Sequence, residues 1–159
     1  MIAAVLLLAS TLLAPHIQTA AAEYRLGAAA LKQESYSPAI EHFRKAIDIE
    51  PTYIDAYEAL ITAYERAKNP TEMARTITQL LQIQPDSLPY RLKLAAYLES
   101  AGDAQRALAQ YSLALQADPK NADALAGFIG AAQNAGMRDR AATAKAHGRR
   151  LFPTDKRFE

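Results

Sequence analysis

The sequence predicts an all-helical protein built of short helix pairs stacked on one another, and three observations predict it. Hydrophobic residues make up 50% of the 159-residue chain, with Gly 6 and Cys 0 and with alanine as the recurring small residue; this composition suits packed helices rather than strands or disorder. Pro51, Pro85, Pro119 and Pro153 recur at one constant interval, each at the end of an apolar periodic stretch. Tyr57, Leu60, Ile61 and Tyr64 recur at helical spacing, as do Met73, Ile77, Leu80 and Leu81, so each segment carries one apolar stripe. A single such helix cannot bury its stripe, and pairs of them must stack on neighbouring pairs.

Taken in order, the chain opens with "MIAAVLLLASTLLAPHIQTAAA", 22 residues without Asp, Glu, Lys or Arg. An apolar run from Ile2 to Ala14, then Pro15, then the small residues Ala20, Ala21 and Ala22 predict an export signal cleaved before Glu23. Two alternatives stand beside it. The segment has the length of an uncleaved anchor, and it also reads as a greasy helix of a preceding partial repeat. Beyond it the period sets the units at 20–53, 54–87, 88–121 and 122–153, with a short basic tail at 154–159. Within each unit a first helix carries Leu26, Leu60, Leu94 or Phe128, and a second opens near Ala39, Met73, Ala107 or Ala141. Turn signals separate the two helices at "KNP" 68–70, "AGD" 101–103 and "AGM" 135–137. Each proline closes a second helix, because it lacks the amide donor and clashes with the preceding turn.

These residues carry a family resemblance. "AIEHFRKAIDIEP" at 39–51, preceded by Leu26-Gly27, resembles the tetratricopeptide repeat (TPR), whose 34-residue unit places a Leu-Gly pair, an Ala-x-x-x-Phe pair and a closing Pro in this order. Ala107, Tyr111, Ala114 and Pro119 repeat the pattern in the third unit, and the resemblance runs from 20 to 153. It implies a right-handed helical solenoid of about four TPR repeats and a protein-binding role. The chain departs from the family pattern at Ala30, which stands where a tyrosine is usual, and at Lys145 and Gly148, which replace the aromatic and the alanine of the last helix. A polar final face suits a terminal unit, yet only six residues follow Pro153. The last helix is therefore expected to lack the extra capping helix and to offer a surface for a partner or a second copy.

Chemistry-bearing candidates are few. Glu41 and His42 sit side by side, but no second histidine lies within reach in sequence, and a zinc-protease helix needs one four residues away. Glu41 precedes Lys45 by four, the favourable order for a surface pair, so both residues and His147 read as solvated scaffold. Gly127 and Gly130 lie in a helix rather than after a strand, which points to close packing of backbones and not to a phosphate loop. Without cysteine, a phosphate loop or a nucleophile set, no catalytic site, cofactor or metal is expected.

A binding face is better marked. The first helices of a TPR array line a groove, and their faces opposite the core carry Tyr24, Ala28 and Leu31; Asp55, Glu58, Thr62 and Glu65; Leu92, Ala96 and Glu99; and Asp123, Ala126, Gly130 and Gln133. TPR domains that hold acidic chaperone tails carry lysine, arginine and asparagine on this face, and here Asp and Glu stand there instead. The resemblance and the charges together imply a protein or peptide partner with basic and apolar side chains. Overall Lys+Arg 18 against Asp+Glu 17 gives no field for nucleic acid. From Arg138 onward, however, seven basic residues face three acidic ones. The expectation is an exported, periplasmic or secreted, non-catalytic adaptor, with a membrane-anchored or cytoplasmic accessory subunit as the alternative.

Overall fold

The computed structural model describes residues 19–159, and the apolar run at 2–14 with its signal or anchor reading lies outside them. Among the described residues there are eight α-helices and no strand. None of these helices is long and apolar enough to cross a membrane. The first, α1, runs over 19–32. It is followed by α2 (Tyr36–Ile49), α3 (Ile54–Arg66), α4 (Pro70–Ile83), α5 (Leu88–Ser100), α6 (Ala104–Ala117), α7 (Ala122–Asn134) and α8 (Arg138–Leu151), then a 3-10 turn, Lys156–Phe158. The chain divides into two compact units, Met1–Ile83 and Gln84–Glu159. Each holds two helix pairs in antiparallel succession.

One device closes every pair. Glu34, Lys68, Gly102 and Gly136 all take positive φ, at 57°, 55°, 80° and 74°, and they recur at the same interval as the prolines. Such a residue lets the chain reverse and returns the next amide to an orphan carbonyl of the helix just ended. The amides of Ser35, Asn69, Asp103 and Met137 donate to the carbonyls of Ala30, Tyr64, Leu98 and Ala132 at 2.9, 2.9, 2.9 and 2.8 Å. The second helices start at once, two of them under side-chain caps: Asn69 accepts from the Glu72 amide at 3.2 Å and Asp103 from the Arg106 amide at 3.0 Å. At the other end α2, α4, α6 and α8 each stop two residues before Pro51, Pro85, Pro119 and Pro153, as the prolines require.

Cores form where the stripes predict. In the first unit Ala39, Phe43, Ala46, Tyr57, Leu60, Ile61, Tyr64, Ile77 and Leu80 are buried. In the second, Leu94, Leu98, Ala107, Tyr111, Ala114, Leu125 and Ile129 are buried. Leu26 departs from the expected pattern. It is 52% exposed where Leu60 and Leu94 are 4% and 7%. Leu60 lines a recess shared with Ile47 and Arg44 of the preceding second helix, and no described helix precedes α1 beside Leu26.

The helical glycines receive side chains rather than neighbouring backbones, which corrects the expectation for Gly127 and Gly130. A Cβ on Gly127 would lie 2.2 Å from Cζ of Tyr111, and one on Gly130 2.7 Å from Oε1 of Glu99. Gly27 makes room for Phe43 in the same way, and Gly148 for Phe158. That last contact changes the picture of the C-terminus. Phe158 is 0% exposed, stacks on Phe152 with ring centroids 5.5 Å apart, and is held by Arg149 Nε, which donates to its carbonyl at 2.7 Å. The expected basic tail is a folded turn that covers the Gly148 side of α8, so this part of the last helix is not bare.

Candidate partner-binding faces

The first-helix face of the first unit comes from α1 and α3. On α3 the spacing of Asp55, Glu58, Thr62 and Glu65 sets them opposite the buried Tyr57, Leu60, Ile61 and Tyr64, and Asp55, Glu58 and Glu65 are all exposed. Thr62 is half-buried and turns its hydroxyl back to the Glu58 carbonyl at 2.9 Å. Asp55 and Glu58 have no ion-pair partner among the described residues. Tyr24 and Leu31 on α1 are half-buried. Tyr24 is less of a groove residue than its position promises: its ring lies against Phe43 and Tyr53, with centroids at 5.7 and 5.4 Å, so it serves the core as much as the surface.

In the second unit the face comes from α5 and α7, and its acids are engaged. Glu99 extends over Gly130 and its Oε2 accepts from the Tyr111 hydroxyl at 3.1 Å. Burial first, and this carboxylate second, push the Tyr111 hydroxyl well above its usual pKa. Asp123 accepts from Arg157 Nη1 at 2.7 Å. Arg157 also binds Asp155, whose carboxyl it holds below the usual range. What remains uncommitted is apolar or neutral: Leu92 and Ala126 half-buried, Ala96 and Gln133 exposed. Thus the acidic character predicted for the groove belongs mainly to the first unit. The pairing of Arg157 with Asp123 was missed in the sequence, although its signal is there: Arg157 stands one full repeat after Asp123.

His42 also sits differently from the expected solvated flank. Its Nδ1 donates to Glu23 Oε2 at 2.7 Å, and both side chains are about three-quarters covered (28% and 24% exposed), so the contact ties α2 to α1. Glu41 pairs with Lys45 at 2.7 Å on the surface, as the four-residue spacing predicts. His147 is exposed on α8, and no group of three or more potential metal ligands occurs among the described residues.

The helical pairs, the recurring left-handed turn and the small-to-aromatic contacts define a protein of stacked helix-turn-helix repeats. The tetratricopeptide repeat family model matches residues 20–53, the first pair. Solved structures agree over most of the chain. YrrB, a TPR protein with an unusual peptide-binding site, superposes with a TM-score of 0.68 at 20% identity, covering 87% of this chain and 72% of its own. MamA gives 0.68 at 18% identity over 86% and 74%, and MamA 41-end from Desulfovibrio magneticus RS-1 gives 0.69 at 14% over 88% and 79%. No curated protein sequence matches the chain. The chain thus resembles the tetratricopeptide repeat family in sequence over its first pair and shares the fold of these solved structures over most of its length.

Proposed function

We propose that the protein is a non-catalytic interaction module that holds a basic and apolar segment of a partner protein against its first-helix faces. The observation that carries this reading is the face of α3, where the exposed Asp55, Glu58 and Glu65 stand around Thr62. TPR folds generally serve protein interaction, and the structurally similar YrrB is a TPR protein with a peptide-binding site; both support the reading. Exposed acids of one sign steer a basic segment and fix its register more than they add affinity, so the half-buried Leu31 of the same unit would supply the anchoring. The test is a photo-crosslinking residue placed at Thr62 in the native compartment, with and without Asp55→Lys and Glu58→Lys. A discrete crosslinked partner, reacting through a lysine- or arginine-rich segment and lost in the charge-reversed chain, is the expected result. A partner that crosslinks equally in both chains refutes the acidic face.

Export is part of the proposal, and a membrane-anchored form is a second reading favoured by one observation. Ala20 is 1% exposed within α1, and the matched repeat begins at that residue. A cut before Glu23 removes this turn, whereas an uncleaved chain keeps it. The mass of the native protein separates the two: a start at Glu23 establishes cleavage, and a start at Met1 establishes the intact leader.

A further inference from the structure

The two units contain the same crevice at the same place in the repeat, and they finish it in opposite ways. In the first unit it is a small polar recess of about 110 Å³ between α2, α3 and α4. Tyr64 lines it, and Arg44, Asp48, Glu72, Arg75 and Gln79 surround it. Two repeats later the corresponding recess, between α6, α7 and α8, opens to about 450 Å³. Ala132 stands in the register of Tyr64, Thr143 in that of Arg75 and Ala144 in that of Thr76. The walls become Leu115, Leu125, Phe128 and Ala144, with Asp139, Arg140 and His147 at the rim. Removing the aromatic ring and both guanidinium groups, with Ser112 in the register of Arg44, leaves an apolar recess that no described residue of the second unit fills.

Its rim holds Asp139 beside Arg140, on a helix that is basic overall. Helix α8 carries five basic residues (138, 140, 145, 149, 150) against the single acid Asp139. The Arg140 guanidinium lies over the Phe128 ring, 5.5 Å from its centroid, and its polar partner is Met137 Sδ at 3.6 Å. Among the described residues no carboxylate neutralises it, whereas Arg157 has two. A guanidinium stacked on an aromatic ring at the mouth of an apolar recess presents its remaining N–H donors to an incoming anion.

We propose that this crevice is a second docking site, which takes a leucine or phenylalanine side chain from an acidic peptide segment while Arg140 binds a neighbouring carboxylate. The site is independent of the first-helix faces, lies on other helix surfaces, and selects the opposite charge. An anchor in a desolvated recess ringed by charge is the ordinary layout of a binding hot spot. A membrane is a poorer match, because lipid insertion needs a protruding apolar ridge and this feature is a recess. A second copy of the chain is also a poorer match. The exposed large hydrophobics among the described residues are Leu26 and Leu113, and neither has a free acid on its helix face: Glu23, one turn before Leu26, pairs with His42, and Gln110 and Gln116 flank Leu113.

The test uses the full chain and a fluorescein-labelled synthetic peptide with glutamates around a central Leu-Phe pair, read by anisotropy. Binding is expected, weakened at least about tenfold by Arg140→Glu and by Ala144→Met, which narrows the recess. Arg140 is exposed, so its replacement leaves the fold intact, and the melting temperature of both variants verifies this. Equal binding of a peptide with lysines in place of the glutamates overturns the proposal, as does unchanged binding to both variants. Self-association of the chain, or binding to phosphatidylglycerol vesicles, that both substitutions abolish assigns the crevice to a second copy or a lipid surface and overturns it too.

Discussion

Phe158 and Gly148 form a lock whose two halves can be removed separately. Phe158 is fully buried, and full burial of such a side chain stabilises by about 1.5–3 kcal/mol. Phe-to-Ala changes in closed cores cost about 3–5 kcal/mol because a cavity remains. Here the turn rests on α8 and is otherwise tied only by the surface pair of Arg157 with Asp123, so once it undocks no cavity persists, and the cost of Phe158→Ala is capped near the transfer value, about 2 kcal/mol. Gly148→Ala acts through the same contact, since its Cβ would lie 2.4 Å from Cδ1 of Phe158 and must expel the ring. Yet alanine favours the helix over glycine by about 1 kcal/mol. The sum is a loss of roughly 1 kcal/mol in the wild-type background and a gain of roughly 1 kcal/mol when Phe158 is already alanine. A change of sign is therefore expected across the cycle, with a coupling of about 2 kcal/mol. Repeat proteins open locally, so the assay is amide hydrogen exchange along α8, supported by urea denaturation of the full chain. If Gly148→Ala lowers protection of α8 equally in both backgrounds, Phe158 does not hold the helix through Gly148.

Two further outcomes follow from the turns and the tyrosines. Lys68 is held in a left-handed backbone that Gly102 adopts freely, so Lys68→Gly is expected to stabilise the first unit and Gly102→Ala to destabilise the second, each by up to about 1 kcal/mol, read as opposite shifts of the unfolding midpoint. Burial raises the hydroxyl pKa of Tyr57, Tyr64 and Tyr111 above the ordinary value of 10.0, with Glu99 adding to the effect at Tyr111. A raised folded-state pKa leaves stability intact below the unfolded value of about 10 and removes it as pH climbs from there through the folded value. Tyrosinate absorbance should thus rise in step with loss of helical circular dichroism above about pH 10; full ionisation of all tyrosines while the helices persist would contradict the burial.

The period exposed the architecture because the constraints that make it are local. Pro51, Pro85, Pro119 and Pro153 end helices by their own covalent chemistry, and the stripes through Phe43, Leu60 and Tyr111 follow from the geometry of the helical turn. The left-handed turns were only half legible: Gly102 and Gly136 announce them, but Glu34 and Lys68 do so only through their register. The candidate face was legible as a set of outward positions and illegible in its state. Whether an acid on such a face is available depends on partners far away in sequence, as Glu99 shows with Tyr111 and Asp123 with Arg157. Phe158 looked like an ordinary tail residue because nothing local requires its burial; the missing side chain at Gly148 is the complementary half.

Ala20 and the two residues after it belong to the opening turn of a helix whose far side rests on Phe43. Peptidases cleave chain that has come out of its folded conformation, so the bond before Glu23 is open to them only while that turn is unformed. Helical turns form in well under a millisecond, roughly 0.1–1 μs for a short helix, far faster than processing. Under the export reading proposed above, cleavage and folding of the first repeat would compete for the same residues, and anything that delays docking of α1 on α2, including loss of the His42 to Glu23 contact, would tip that competition toward the shorter chain.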